Sequence, residues 1–254
     1  MQNLALDTLF VGKVQSHFKE CESTNDVALK WIIESKPSEG AIVTSYFQSS
    51  GKGNYGSHWI SENSMNLLVS VILYPEFIAP KDHFSLNIAI SLAVYDTIRA
   101  ILGRDVKIKW PNDIYFKDKK LGGILIETSI SSKMIESAVC GVGLNINQKN
   151  FNDDLVNPTS LSLIRGKDYN IEDILADLLS NIEKRYIELK NDHIKEPRSH
   201  YIKSLYRFGE DHSFKTGKEK FAARIIDINE DGKLVLDRNG GIQEYMPKEI
   251  EFDI

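Results

Sequence analysis

The chain has 254 residues, 42% hydrophobic and 26% charged, which suits one large core or a larger and a smaller domain and excludes disorder, collagen and coiled coil. Its 31 lysines and arginines against 36 aspartates and glutamates give a formal net charge of -5. That removes the simplest argument for non-specific binding to nucleic acid or anionic lipid, though a small basic site can hide inside the balance.

Cys21 and Cys140 have neither the number nor the spacing of a zinc site or a disulfide framework, and read as two small apolar residues in a reducing compartment. No uninterrupted apolar run is long enough to cross a bilayer, and the opening from Met1 to Phe10 carries an acid and no basic n-region. The expectation is a soluble cytoplasmic protein with no membrane partner.

In chain order, Ser23 or Thr24 can cap a helix whose Val27, Ala28, Trp31 and Ile32 fall at helical spacing. Residues 41–47 and 66–74 are rich in β-branched and aromatic side chains and predict strands, joined by a loop of glycines and polar residues. Phe84, Ile88, Leu92, Tyr95 and Ile98 mark a long amphipathic helix whose apolar face is read as core. Residues 106–110, 114–116, 122–130 and 137–146 predict successive strands with short turns such as the one at 117–120. A second helical pair follows, clearest at 171–189. From about Phe208 the pattern changes to short alternating runs punctuated by Asn229-Glu-Asp-Gly232 and Asn239-Gly-Gly241, which predicts a small β-barrel after an α+β domain, with a polar boundary at 190–198.

Gly51-Lys-Gly-Asn-Tyr-Gly56 matches G-x-G-x-x-G, but the dinucleotide motif needs a strand before and a helix after, and here another strand follows. The strand-loop-strand setting would suit a kinase loop better, yet the chain contains no H-R-D and no D-F-G. Two readings of the loop remain open: an anion cradle of backbone N–H groups reinforced by Lys52, or a flexible surface turn. Lys109-Trp-Pro-Asn-Asp113 runs a strand into a proline turn that projects an amide beside a carboxylate, fit for a phosphate-bound Mg²⁺ or for positioning an amine. In Lys120-Leu-Gly-Gly-Ile-Leu-Ile-Glu127 a lysine precedes glycines at the mouth of a strand, where it can neutralise a carboxylate and a phosphate together. Gly141-Val-Gly-Leu-Asn-Ile-Asn147 sets two asparagines beyond glycines that allow a close approach to the backbone.

Taken in order with Glu22-Ser-Thr-Asn25 and Gln48-Ser-Ser-Gly-Lys-Gly-Asn-Tyr-Gly-Ser-His-Trp59, these motifs resemble the biotin protein ligases over roughly the whole chain. The resemblance implies an α+β fold: a mixed-sheet catalytic domain of the biotin/lipoate ligase type with helices on one face (residues 1–205), then a small C-terminal SH3-like β-barrel (residues 206–254). It also implies two half-reactions. Biotin attacks the α-phosphate of Mg-ATP to give biotinyl-5′-AMP and pyrophosphate, and a lysine of a biotin carboxyl carrier protein then attacks the mixed anhydride. ATP, Mg²⁺ and biotin are the implied small molecules, with no zinc, haem or flavin.

By the same resemblance Lys120, Lys52 and Asp113 are the catalytic residues, with Lys120 foremost. Ser23, Thr24, Asn25, Gln48 and the backbone near Gly123 would hold the ureido head, and Lys52, Gly53, Asn54 and Lys120 would complete the biotin side. Gly51, Gly53, Asn54, Trp59, Asn112, Asp113, Lys120 and Asn145 would bind ATP, with Mg²⁺ held mainly through the phosphates and Asp113 as the protein oxygen in reach; a core role is the alternative for Trp59. The loop is poor in arginine compared with the family, and Asn54 stands where many members carry one, so retention of biotinyl-AMP is expected to be weaker.

Because the Ser-Thr-Asn motif begins at Ser23, no winged helix is expected before it, such a domain needing on the order of 60 residues, and no operator binding is expected. The alternatives are a lipoate-protein ligase or octanoyltransferase, whose apolar dithiolane would leave ureido partners unpaired, and a non-catalytic biotin sensor, which would need neither Lys120 nor Asn112 and Asp113. Carrier docking and homodimerisation along a sheet edge are both left open.

Overall fold

The computed structural model describes residues 6–191 and 195–253; residues 1–5 of the opening segment and 192–194 of the expected polar boundary lie outside the described residues. Seven strands, β1 (Gln15–Phe18), β2 (Ile42–Ser45), β3 (Asn66–Leu73), β4 (Val106–Lys109), β5 (Asp113–Phe116), β6 (Lys119–Ile130) and β7 (Ile135–Asn145), form one sheet in the order β1-β2-β3-β7-β6-β5-β4. β1 runs parallel to β2, and the other neighbours are antiparallel, so the sheet is mixed. β1 is absent from the sequence expectation because four mostly polar, half-exposed residues carry no strand pattern of their own; pairing with β2 makes the strand.

Side-chain alternation gives the sheet two apolar faces. Ile42, Val71 and Cys140 point into the main core under α2 (Phe84–Leu102) and α4 (Ile171–Lys190), while Ala41, Val43, Ile72 and Val139 meet Ala28 and the Val27, Trp31 and Ile32 stripe of α1 (Thr24–Ser35). The helices that cover the main core thus share one face as expected, and α1 crosses to the other. Residues 80–102, α2 with the turn before it, are long and apolar enough to span a membrane, but Asp96 and Arg99 interrupt the run and most of it is packed inside the protein. Two short helices complete the set. α3 (Leu161–Arg165) is capped by the Ser160 hydroxyl, and α5 (Lys195–Lys203) occupies much of the expected boundary, with Pro197 tolerated in a first turn whose N–H groups have no helical partner.

β8 (Asp211–Thr216), β9 (Glu219–Ile228), β10 (Leu234–Arg238), β11 (Gly241–Tyr245) and β12 (Glu251–Phe252) form an antiparallel unit ordered β11-β10-β9-β8-β12, consistent with the small barrel expected. The chain reverses at the two glycine-bearing turns singled out in the sequence, and Asn239 and Gly240 take φ of 54° and 84°, as a tight hairpin requires. The two sheets are sewn together. Ile108 donates its N–H to Ser204 O (2.9 Å) and accepts from Tyr206 N–H (2.8 Å), Gly209 N–H reaches Ile225 O (3.0 Å), and the Trp110 indole donates to Gly232 O at 2.9 Å. Apolar side chains of both units belong to one continuous core.

Candidate active site

The face of the sheet that carries α1 becomes a cleft of about 990 Å³ beyond the helix N-terminus. On β7 the core side reads Ala138, Cys140, Val142 and Leu144, whereas the cleft side reads Val139, Gly141, Gly143 and Asn145, so the glycines open space where α1 ends. Every residue predicted for the site lines this cleft except Gly51. Gly51 lies at the base of the loop, its carbonyl accepting the Trp59 N–H at 2.8 Å, so its smallness serves the crossing of the loop's two legs.

Ser23, Thr24, Asn25 and Gln48 are all buried at one end of the cleft. Ser23 occupies the cap position of α1 but makes no side-chain capping bond; the Thr24 N–H is instead received by Gln48 Oε1 (2.8 Å), which also accepts from the Thr24 hydroxyl (3.0 Å). The Ser70 hydroxyl, with one proton to give, lies within hydrogen-bond distance of both Thr24 Oγ1 (2.7 Å) and Asn25 Oδ1 (2.6 Å), and Asn25 Nδ2 donates to Glu127 at 2.7 Å. The result is a buried polar lattice in which orientation is set by the protein before any ligand arrives.

Beside it stand two lysines, each with a carboxylate. Lys120 Nζ lies 2.8 Å from Asp113, across the β5–β6 hairpin, and the Lys120 backbone is clamped to Asn157 O and Thr159 N. Lys52 is ion-paired with Asp26 on α1, and that hydrogen bond raises the lysine's pKa, against some desolvation, so it stays charged. Asn54 and Asn112 both donate to one acceptor, Ile124 O on β6, at 2.8 and 2.7 Å, which pins the glycine loop across the cleft. The loop is therefore a fastened cover rather than a free surface turn.

Trp59 is half-buried in the cleft, not part of the core; the close approach to the β7 glycines is made by its indole, since a Cβ at Gly143 would sit 2.6 Å from the ring. Its Nε1 is buried without a partner, as is Asn145 Oδ1, whose amide nitrogen reaches Thr159 O at 3.0 Å. An unpaired buried donor and an unpaired buried acceptor on two cleft-lining residues are costly unless a partner is supplied. Among the described residues no three His, Cys, Asp or Glu side chains gather as a metal site; the carboxylates lining the cleft are Asp113, Asp154 and Glu251.

Several residues in or around the cleft have no role assigned to them from the sequence. Asp26, Ser70 and Glu127 are ordinary polar letters until the fold sets them against Lys52, Thr24 and Asn25. Lys109 projects between the rings of Tyr115 and Phe252, 5.0 and 5.1 Å from their centroids, and burial there pushes its pKa down, with Asp113 opposing. The C-terminal unit adds Lys215, Lys248, Ile250 and Phe252 to the wall, all far along the chain from the last motif at 141–147.

The profile of the biotin/lipoate A/B protein ligase family matches residues 18–145. The chain is 28% identical over 249 residues to the bifunctional ligase/repressor BirA of Bacillus subtilis, spanning 97% of this chain and 76% of that one. It is 26% identical over 225 residues to the biotin–[acetyl-CoA-carboxylase] ligase of Mycobacterium tuberculosis, covering 86% and 81% of the two chains. The biotin protein ligase from Aquifex aeolicus in complex with biotin and ATP superposes with a TM-score of 0.78 at 26% identity, over 94% of this chain and 98% of that one.

Proposed function

Since the chain belongs to the biotin/lipoate A/B protein ligase family, we propose that it is a biotin protein ligase, activating biotin with ATP and transferring it to a lysine of a biotin carboxyl carrier protein. The observation that carries this reading is the meeting, in one cleft, of the buried Ser23, Thr24, Asn25 and Gln48 lattice with the paired cations Lys52 and Lys120. A ureido ring has donors and acceptors to extend that lattice, whereas a dithiolane has none, which favours biotin over lipoate.

In the first step a carboxylate oxygen of biotin forms a bond to the α-phosphorus while the bond to pyrophosphate breaks. Two anions must approach, and the extra charge on the phosphoryl oxygens is what Lys120 and Lys52 are placed to stabilise. Asp113 and Asp26 hold these ammonium groups in position, at distances from which a stronger anionic partner can draw them. Trp59 would pack against the adenine, and Asn112 and Asn145 would face ribose and phosphate. Asp113, beside the phosphates, would be the protein carboxylate nearest to a Mg²⁺ brought in by ATP, an ion that would offset phosphate charge. In the second step the carrier amine attacks the acyl carbon and AMP leaves. The covering loop shields the anhydride from water until then. Asn54 supplies an amide tether in place of a charged fork, so biotinyl-AMP leaks faster than from arginine-rich relatives. The reading includes a cytoplasmic setting and no partner among nucleic acids or membranes; retention on DNA at physiological salt would overturn that part.

The test is pyrophosphate release from Mg-ATP with biotin or with lipoate, followed by label transfer to a carrier domain. Biotin-dependent release that Lys120→Ala lowers by about a hundredfold or more, with the fold retained, is the expected result. Release with lipoate alone would move the assignment to lipoate ligation, and tight biotin binding without release would leave a sensor.

A further inference from the structure

We propose that Lys248, on the C-terminal unit, is a positioning residue that clasps Tyr55 and holds the glycine loop closed over the bound intermediate. The proposal rests on the ligase reading for what lies under the loop, but the clasp itself is a matter of geometry.

The loop's own backbone is short-wired: Gly53 N–H to Ser57 O at 2.8 Å and Trp59 N–H to Gly51 O at 2.8 Å make it a compact unit that moves as one. Among the described residues, three side-chain contacts fasten that unit to the rest of the protein. Lys52 ties it to Asp26 on α1, Asn54 ties it to Ile124 O on β6, and the third comes from the other domain. Lys248 Nζ donates to Tyr55 O at 2.9 Å and lies 5.1 Å from the centroid of the Tyr55 ring, so one ammonium engages one residue twice. Both partners have left-handed backbones, φ of 57° at Tyr55 and 73° at Lys248, conformations that L side chains adopt where the surroundings over-determine them. Lys248 also lines the cleft, next to Pro247 and near Ile250. The other two ties come from α1 and β6; among the described residues, Lys248 is the side chain of the C-terminal unit that hydrogen-bonds the loop. A loop held at its tip from a second domain opens less often, and what it covers escapes less often.

The contact is exposed, so its effect is graded rather than absolute. The experiment compares the full-length wild type with Lys248→Met, Lys248→Arg and Tyr55→Leu, all checked for an unchanged thermal midpoint. Two rates are read: tryptic cleavage after Lys52 in ligand-free protein, and release of biotinyl-AMP after its formation from biotin and Mg-ATP. Lys248→Met is expected to speed adenylate release about fivefold, more than it slows adenylate formation, and to speed cleavage after Lys52. Lys248→Arg restores both rates, and Tyr55→Leu, which keeps the carbonyl acceptor but loses the ring, falls between. Unchanged cleavage together with unchanged release in Lys248→Met overturns the clasp; if that variant fails to fold, Tyr55→Leu at wild-type rates does the same. A wild type that makes no adenylate overturns the ligase reading alone, and the cleavage rates still decide the clasp.

Discussion

At the scale of single residues, the cleft is built from atoms whose demands exceed what the chain itself supplies. Trp59 Nε1 and Asn145 Oδ1 have no partner, and two lysines are stabilised by carboxylates of opposite charge that an anionic substrate would rival. Gly143 shows how tightly the space is drawn. Gly143→Ala would put a methyl 2.6 Å from the Trp59 indole, and the ring must move. We expect the KM for ATP to rise about tenfold, in line with the loss of a well-placed aromatic contact, while biotin binding measured by calorimetry changes little. An unchanged KM would show that Trp59 does not pack against the nucleotide. Lys120→Arg tests the lysine differently: it keeps the charge but replaces a point donor by a wide fork in a site already clamped between Asp113 and the 157–159 backbone. Partial activity, well below wild type and above Lys120→Ala, is expected from initial rates of pyrophosphate release.

At the scale of elements, the start of the described chain is held by α4. The Glu183 carboxylate accepts the backbone N–H groups of Leu9, Phe10 and Val11 at 2.7, 2.7 and 3.0 Å, tying a segment without secondary structure to a buried helix face. Burial pushes this carboxyl up, but the three backbone donors together outweigh it and hold it below the usual glutamate range. A folded-state pKa below the unfolded one gives stability that is fully present above the unfolded value of about 4.3 and is lost as pH falls through the folded value. Glu183→Gln should therefore lower the urea midpoint at pH 7, by about 1.5–3 kcal/mol in stability, and flatten the acid side of the stability–pH curve. A variant whose acid limb matches the wild type would show that Glu183 is not the titrating group. A second tie between elements, Arg185 on α4 to Asp96 on α2 (Nε 2.9 Å) and to Glu188, locks the two largest helices with a guanidinium that is mostly buried.

At the scale of the whole molecule, the barrel is not a separate appendage. Its apolar residues share a core with the ligase sheet, Trp110 from the Lys-Trp-Pro-Asn-Asp motif donates to Gly232 O, and Lys109 lies against Phe252. A shared core predicts one cooperative unfolding transition: far-UV circular dichroism and tryptophan fluorescence should give coincident thermal midpoints. Two separated midpoints would mean that the units fold independently. Trp110→Phe, which leaves the Gly232 carbonyl without its donor, should lower stability by about 1 kcal/mol and loosen the barrel first.

The sequence by itself determined the elements and the chemistry-bearing strings. Hydrophobic periodicity and turn residues mark α1, α2, α4, six of the seven strands of the large sheet and the hairpins of the small one, because these signals are local and repeat within a few residues. The motifs at Ser23, Gly51, Lys109, Lys120 and Gly141 stand out for the same reason: each is a short run of unusual composition. What only the tertiary structure decided is which polar groups face one another. The Gln48 cap on α1, the carboxylates at Lys52 and Lys120, the two asparagines on Ile124 O and the lysine that reaches Tyr55 across 193 positions are pairings between ordinary letters. A single charged or amide residue has no period and no pattern; its meaning comes from the partner that folding sets beside it.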